Sequence, residues 1–199
     1  MFDRETRCYS GEIRAEQQDA QPSRIIGYGS VFNSRSEPLW GFREIIKPNA
    51  FDGVLNDDVR ALFNHDANFI LGRTVAGTLA LSVDERGLQY DICAPDTQTI
   101  RDLVLEPMRR GDIDQSSFGF RVAHDGEHWY EDDEGMVIRE IHRFSRLFDV
   151  SPVTYPAYQD TDSAVRSLKA WQQAKETGVL QHAINQRMAR ERLLTLLNV

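Results

Sequence analysis

Apolar residues between positions 24 and 153 recur mainly with the two-residue period of β-strands, and this pattern limits the possible folds most strongly. The strand-like runs lie at 25–32, 42–46, 59–65, 78–83, 88–93, 116–123, 128–130, 137–141 and 144–153. The exceptions are 96–110, where apolar residues take helical spacing ahead of Gly111, and a short helical turn predicted from Pro48 through Leu55. Strands that follow one another in the chain favour antiparallel sheets over a doubly wound α/β sheet. The sequence therefore predicts a mainly β, α+β fold, either a barrel or a sandwich, with helices around it.

The two ends of the chain differ from this middle part. Residues 1–23 are mostly polar and lack a period, which predicts a flexible N-terminal segment with order beginning near Arg24. After 156 the period is helical, with one predicted helix at 163–176, a stop at Gly178 and a second helix at 180–197. We therefore expect a folded domain over 24–177 and a helical tail over 178–199. The tail is either a targeting or removable segment, or an amphipathic helix that packs on a neighbour.

Charge and composition exclude several classes of function. The net charge of −8 disfavours binding to nucleic acid phosphates, so we expect no nucleic-acid partner. No apolar run reaches the roughly 18–20 residues of a membrane helix, and we expect no membrane partner. Cys8 and Cys93 are too far apart for a metal motif, and no glycine-rich phosphate loop follows a strand. We therefore expect neither a metal nor a cofactor.

A histidine at the end of the predicted strand 59–65 is the first candidate for chemistry. His65 follows an apolar strand face formed by Val59, Ala61 and Phe63. It is either a half-buried histidine at a turn or a general base at the rim of the sheet.

Two adjacent serines in a later strand are the second candidate. Alternation places Ser116 on the face of Phe118 and Phe120, and Ser117 on the opposite face with Gly119. Because a glycine leaves room for another chain to approach, Ser117 is the better nucleophile and Ser116 the better core hydroxyl. The alternative is that both serines only fill a strand.

A carboxylate in an apolar strand is the third candidate. Asp149 is flanked by Phe148 and Val150, and a charge in such a place needs a partner. Strict alternation groups it with Leu147 and Ser151. The carboxylate would either orient a histidine or pair with an arginine.

A metal site built from histidines is a weaker alternative. His124, His128 and His142 lie close together in the sequence. Because 124–128 is predicted to be a hairpin rather than a helix, its spacing does not bring two ligands to one face.

Seven short blocks, in this order, resemble the prohead (capsid-maturation) proteases of tailed phages, which are relatives of the herpesvirus assemblin-type serine proteases. They are Gly-Tyr-Gly-Ser-Val-Phe at 27–32, Glu-Ile-Ile-Lys-Pro-Asn-Ala-Phe at 44–51, Leu-Phe-Asn-His-Asp at 62–66, Leu-Gly-Arg at 71–73, Gly-Asp-Ile at 111–113, Ser-Ser-Phe-Gly-Phe at 116–120, and Phe-Asp-Val-Ser-Pro-Val-Thr-Tyr-Pro-Ala-Tyr at 148–158. The resemblance covers about 25–167. It implies a herpesvirus-protease-like fold, a compact antiparallel β-barrel surrounded by helices, and it makes 24–177 a protease domain.

The resemblance also implies catalytic roles. The histidine of the Asn-His-Asp block is the family's general base, and the serine before Phe-Gly-Phe is its nucleophile, which gives His65 and Ser117. The family mostly has glutamate where this chain has Asp149, and the herpesvirus relatives have a second histidine as their third residue. Strand parity leaves Glu140 as a second choice for the acid, and the resemblance favours Asp149.

The implied function is a serine endopeptidase that acts in the interior of the phage prohead, in the host bacterial cytoplasm. Its implied partners are the major capsid protein, whose internal scaffold segment it would cleave, and the protease itself as a second substrate. The alternative is a non-catalytic internal scaffold or head-assembly protein with the same fold. Such a descendant would be free to lose His65 or Ser117, and this chain keeps both.

Overall fold

The structure is a computed structural model that describes residues 4–10, 13–16, 22–39, 41–155 and 162–197. The chain divides into two units, Met1–Thr161 and Asp162–Val199. The first contains all the described strands, and the second contains one long helix. The fold is thus mainly β and of the α+β class, as the sequence predicts.

Twelve strands form three sheets in the part of the first unit that the structure describes. They are β1 (Glu5–Ser10), β2 (Ile13–Glu16), β3 (Arg24–Val31), β4 (Phe42–Ile46), β5 (Arg60–Phe63), β6 (Asp66–Arg73), β7 (Leu79–Val83), β8 (Gly87–Cys93), β9 (Gln115–Val122), β10 (Glu127–Glu131), β11 (Val137–Ile141) and β12 (Phe144–Val153). Their orders in the sheets are β1-β9-β12-β5-β6, β10-β11-β4 and β2-β3-β8-β7. Short 3₁₀ turns at Pro48–Phe51 and Thr74–Ala76 connect strands.

The sheets are mixed rather than purely antiparallel. β12 runs parallel to β5 and β11 runs parallel to β4, while the other strand pairs are antiparallel. The expectation of antiparallel pairing is therefore wrong for these two strand pairs and confirmed for the others. No closed barrel is found among the strands that the structure describes, so a barrel like that of the assemblin proteases stays a prediction.

A single helix interrupts the strands, as the sequence predicts for 96–110. It consists of α1 (Gln98–Ile100), a π-helical turn (Arg101–Leu105) and α2 (Glu106–Arg110). The Thr97 side chain caps the start by accepting a hydrogen bond from the Ile100 N–H, and Gly111 ends the helix with a φ of 81°. Pro107 lies just after the π-helical turn. Because proline lacks an N–H, Pro107 cannot donate a hydrogen bond within the helix, and the wider turn lies directly ahead of this point.

Aromatic rings fill the centre of the first unit. The rings of Phe51, Phe118, Phe120 and Phe144 are buried and in contact, with centroid distances between 4.7 and 5.9 Å. Burying one such ring contributes about 1.5–3 kcal/mol. Since two of these rings belong to β9, this cluster fixes which face of β9 points into the core.

The structure differs from the sequence-based expectation near the N-terminus. Residues Glu5–Ser10 and Ile13–Glu16 are strands, so the expectation that order begins near Arg24 is wrong for them. Because these strands are polar, their stability comes from pairing with β9 and β3, which no local pattern shows. The parts of 1–23 at 1–3, 11–12 and 17–21 lie outside the described residues.

The C-terminal helix also differs from the expectation. α3 (Asp162–Leu197) is one helix of 36 residues that continues through Gly178, so the predicted stop there is wrong. A glycine inside a helix costs about 1 kcal/mol relative to alanine, which a long helix tolerates. No helix in the described part of the chain is long and apolar enough to cross a membrane.

Candidate active site

A tight turn between β5 and β6 carries His65. Phe63 pairs with Asp66, so Asn64 and His65 are the two central residues of the hairpin turn. Their φ angles are 54° and 57°, the left-handed values that a type I′ turn requires. Asparagine and histidine are among the non-glycine residues that adopt this conformation most often. The turn ends β5 at Phe63, so His65 itself lies outside the ladder of the sheet.

Asn64 anchors this turn to the end of β12. Its N–H donates to the Pro152 carbonyl at 3.0 Å, and its Oδ1 accepts from the Thr154 N–H at 2.8 Å. Its Nδ2 also donates to Thr154 Oγ1 at 3.1 Å. Three hydrogen bonds therefore hold the histidine beside the strand that carries Asp149.

The two serines of β9 lie on opposite faces, as alternation predicts. The Ser116 hydroxyl donates to the Tyr90 hydroxyl at 2.9 Å, and both side chains are buried. Ser117 Oγ lies 2.6 Å from Nε2 of His65. Phe118 and Phe120 turn their face of β9, which Ser116 shares, toward the core. Ser117 therefore lies on the other face and is the serine that meets the histidine.

A bulge in β12 brings Asp149 to the same place. Leu147 pairs with Phe120, Asp149 with Gly119 and Val150 with Phe118, so the extra residue is Phe148. Leu147 and Val150 both belong to the hydrophobic core. The expectation that Asp149 shares a face with Leu147 is therefore wrong, because a bulge shifts the alternation by one residue.

Ser117, His65 and Asp149 form a continuous hydrogen-bonded series. Nδ1 of His65 contacts Oδ2 of Asp149, and Nε2 contacts Ser117 Oγ. A carboxylate at Nδ1 keeps a proton on that nitrogen, which leaves Nε2 free to accept the serine proton. The exposed fraction is 0% for Ser117 and 1% for Asp149, and 13% for the His65 side chain.

Two further side chains hold Asp149. Ser151 Oγ donates to Asp149 Oδ2 at 3.0 Å, and Nη2 of Arg4 forms an ion pair with Oδ1. Gly119 provides the space, since a Cβ atom there would overlap Asp149 Oδ1 and lie 2.8 Å from Nε of Arg4. The glycine beside Ser117 thus permits the close approach that the sequence indicated.

The second choice for the acid lies elsewhere. Glu140 is on β11, in the sheet β10-β11-β4, and its Oε2 is 3.7 Å from Nζ of Lys47. The structure therefore brings Asp149, and not Glu140, to His65.

The three histidines considered for a metal do not converge. His142 Nε2 contacts the Asp125 carbonyl at 3.0 Å, and the His128 ring stacks on Tyr130. In the part of the chain that the structure describes, no group of three or more histidine, cysteine, aspartate or glutamate side chains could hold a metal ion.

A serine hydroxyl, an imidazole and a buried carboxylate in hydrogen-bonded order are the parts that nucleophilic acyl transfer needs. A family model described as Caudovirus prohead serine protease matches residues 10–176. The chain belongs to this family. The resemblance to the prohead proteases is thereby confirmed. No match to a curated protein or to a solved structure was found.

Several residues around the site of this prohead protease family member were not predicted from the sequence. Arg4 and Arg7 lie in the segment that was expected to be loose, so no signal pointed to them. Ser151 and Asn64 stood inside the matching blocks, next to the chosen residues, and their polar side chains were the available signal. Their roles as supports for Asp149 and His65 require the folded neighbours.

Proposed function

We propose that this protein is a serine endopeptidase in which Ser117 is the nucleophile, His65 the general base and Asp149 the orienting acid. The observation that carries the proposal is the contact series from Ser117 Oγ through the two ring nitrogens of His65 to Asp149. Membership in a family of prohead serine proteases gives the reaction class.

The proposed reaction follows the usual course of acyl transfer. Nε2 of His65 removes the Ser117 proton while Oγ attacks the carbonyl carbon of a peptide bond. The protonated histidine then gives its proton to the leaving amine, and an acyl-enzyme remains on Ser117. Water, activated by the same histidine, hydrolyses this ester and restores the hydroxyl.

Asp149 acts in this scheme through His65. Its carboxylate holds the ring in the reactive tautomer and stabilises the positive charge that develops on the imidazole. Ser151 orients the carboxylate, since its hydroxyl donates to the same Oδ2 that faces the ring. A charge in such a buried place has little solvent screening, so its effect on the ring is strong.

The proposed substrate is the scaffold segment of the phage major capsid protein, and the proposed place of action is the interior of the prohead in the host cytoplasm. Both rest on the family, whose members are prohead proteases. We also propose that the protein cleaves itself.

Co-expression with the major capsid protein of the same phage tests the function. We expect a shortened capsid protein with the unchanged chain and a full-length one with Ser117→Ala. A fluorophosphonate should label the unchanged chain, and peptide mapping should place the label on Ser117. An uncut capsid protein, together with a Ser117 that stays unlabelled even in a variant whose N-terminal strand β1 is displaced, would contradict the proposal and favour a non-catalytic scaffold protein.

Intact-mass measurement tests the self-cleavage. The unchanged chain should lose mass during expression, and the Ser117→Ala chain should keep its full mass. Equal masses would exclude self-cleavage, while leaving the cleavage of the capsid protein to the first experiment.

A further inference from the structure

The N-terminal strand β1 covers the proposed nucleophile. β1 pairs with β9 so that Cys8 lies opposite Ser117. The Ser117 hydroxyl donates to the backbone carbonyl of Arg7 at 2.9 Å. The same Oγ atom is also in contact with Nε2 of His65. Since the exposed fraction of Ser117 is 0%, no carbonyl of another chain reaches it while β1 stays in place.

The contact with Arg7 blocks the serine rather than using it. The atom of Arg7 that faces Ser117 Oγ is the carbonyl oxygen, whereas an attack would require the carbonyl carbon. A hydroxyl has one proton, so donation to Arg7 competes with donation to His65.

A second contact from the same segment acts on the histidine. Arg4 pairs with Asp149, and its Nη2 lies 3.5 Å from Nδ1 of His65. The guanidinium of Arg4 thus contacts both the ring of His65 and the carboxylate that pairs with this ring. The segment 4–10 therefore restrains both the nucleophile and the base.

β1 is placed so that it can leave without dividing the sheet. It is the terminal strand in the order β1-β9-β12-β5-β6, and its departure exposes one edge of β9. An exposed edge is a template for an extended peptide, whose backbone groups continue the ladder. This edge carries Ser117, and proteases act on extended peptides.

Two side chains of β1 form ion pairs with charged side chains elsewhere in the domain. Arg7 pairs with Glu44, with nitrogen–oxygen distances of 2.9 and 3.0 Å, and Glu5 pairs with Arg139 at 2.6 and 3.0 Å. Burial would lower the pKa of Arg139, but Glu5 and Glu44 outweigh this and raise it, so Arg139 stays charged. All four side chains are buried. The domain thus presents a positive side chain, Arg139, to Glu5 and a negative side chain, Glu44, to Arg7, and the two β1 residues are two positions apart.

We propose that the edge of β9 is the peptide-binding edge of this protease and that β1 occupies it as a tethered, substrate-like strand. The peptides that fit carry an acidic residue facing Arg139 and, two positions later, a basic residue facing Glu44. The carbonyl of that basic residue lies at Ser117. What happens to a bound peptide rests on the proposed function, whereas the binding itself does not.

Arg7→Glu is the variant that frees the edge. A glutamate there would stand against Glu44 and Glu5, and buried like charges repel strongly. Arg14→Glu is the matched control, because Arg14 is an exposed arginine of β2 that pairs with Glu16. Both variants are made in the full chain, and circular dichroism checks that each is folded.

The probe is a fluorescent peptide with the sequence of residues 4–10, in which serine replaces Cys8. Fluorescence anisotropy should show binding to Arg7→Glu at least tenfold tighter than to Arg14→Glu, where β1 competes from a tether. A second peptide of the same composition, with Glu5 and Arg7 exchanged, should bind Arg7→Glu at least tenfold more weakly. Equal binding of the two peptides, or no binding of either, would overturn the proposal.

If Arg7→Glu does not fold, hydrogen exchange on the unchanged chain tests the proposal instead. The amides of β1 should exchange at least tenfold faster than those of β12, because β1 opens while the sheet remains. If the two strands are equally protected, β1 is a permanent part of the fold and the proposal is wrong.

Fluorophosphonate labelling of Arg7→Glu separates this proposal from the proposed function. Selective peptide binding without any labelling of Ser117 would support the binding edge and contradict the protease. Labelling of Ser117 with no preference between the two peptides would support the protease and contradict the binding edge.

Discussion

Ser117 Oγ lies 2.6 Å from Nε2 of His65, although the two residues are 52 positions apart in the chain. The serine is the third residue of β9, and the histidine lies in the turn between β5 and β6. β12 stands between these strands in the sheet and carries Asp149. Adjacent strands thus bring the three proposed catalytic groups together, and each of them can be tested separately.

The adjacent serines provide a matched pair of variants. Ser117→Ala and His65→Ala should each lower the rate of capsid-protein cleavage by about 10⁴-fold or more, with similar losses because the two groups act as a unit. Ser116→Ala should keep most of the activity, since it removes only a hydrogen bond to Tyr90. Cleavage rates on gels measure the difference. An inactive Ser116→Ala beside an active Ser117→Ala would reverse the assignment.

The acid is tested by changing its charge without its shape. Asp149→Asn should lower turnover by up to about 10⁴-fold, because the amide favours the wrong histidine tautomer. Glu140→Gln is the control, and it should leave turnover unchanged, since Glu140 pairs with Lys47 in another sheet. Single-turnover cleavage measures both variants. A normal rate for Asp149→Asn with a loss for Glu140→Gln would move the role to Glu140.

Gly119 should be essential for the position of Asp149. The added methyl group of Gly119→Ala would overlap Asp149 Oδ1, and a displacement of about 1 Å in a catalytic group costs on the order of 10²-fold in rate. Gly29→Ala is the control, because its methyl group would meet its neighbours at 3.4–3.6 Å. Turnover and melting temperature are measured for both. Full activity of Gly119→Ala would show that the site does not need this close approach.

Tyr90 should make the fold sensitive to high pH. Burial raises the pKa of Tyr90 well above its ordinary value, and the hydrogen bond from Ser116 offsets this only in part. The folded state therefore keeps the phenol proton above pH 10, where the unfolded chain loses it. The stabilisation is complete below about pH 10 and is lost as the pH rises toward the folded pKa, by up to about 1.4 kcal/mol per pH unit.

Urea unfolding between pH 8 and pH 11 measures this effect. Tyr90→Phe should lose less stability over this range than the unchanged chain. Tyr130→Phe, at a half-buried position of β10, should behave like the unchanged chain. If Tyr90→Phe loses as much stability as the unchanged chain, Tyr90 does not govern the alkaline limit.

Strand alternation was informative wherever the backbone is regular. The predicted bounds 42–46, 137–141 and 144–153 coincide with β4, β11 and β12, and alternation in β9 correctly separated Ser116 from Ser117. It failed at Asp149, where the bulge at Phe148 shifts the faces by one residue. A bulge depends on the partner strand, so the period of one strand does not contain it.

The sequence by itself determined the mainly β class and the family, and it singled out Ser117, His65 and two candidate acids, because these depend on residue type and local order. Only the tertiary structure decided that Asp149 rather than Glu140 meets His65, and that Asn64 fixes the turn from β12. It also decided that the polar residues 5–10 form a strand over Ser117. Their strand is stabilised by ion pairs and a ladder with groups more than 30 positions away, and such long-range contacts leave no pattern in the segment itself.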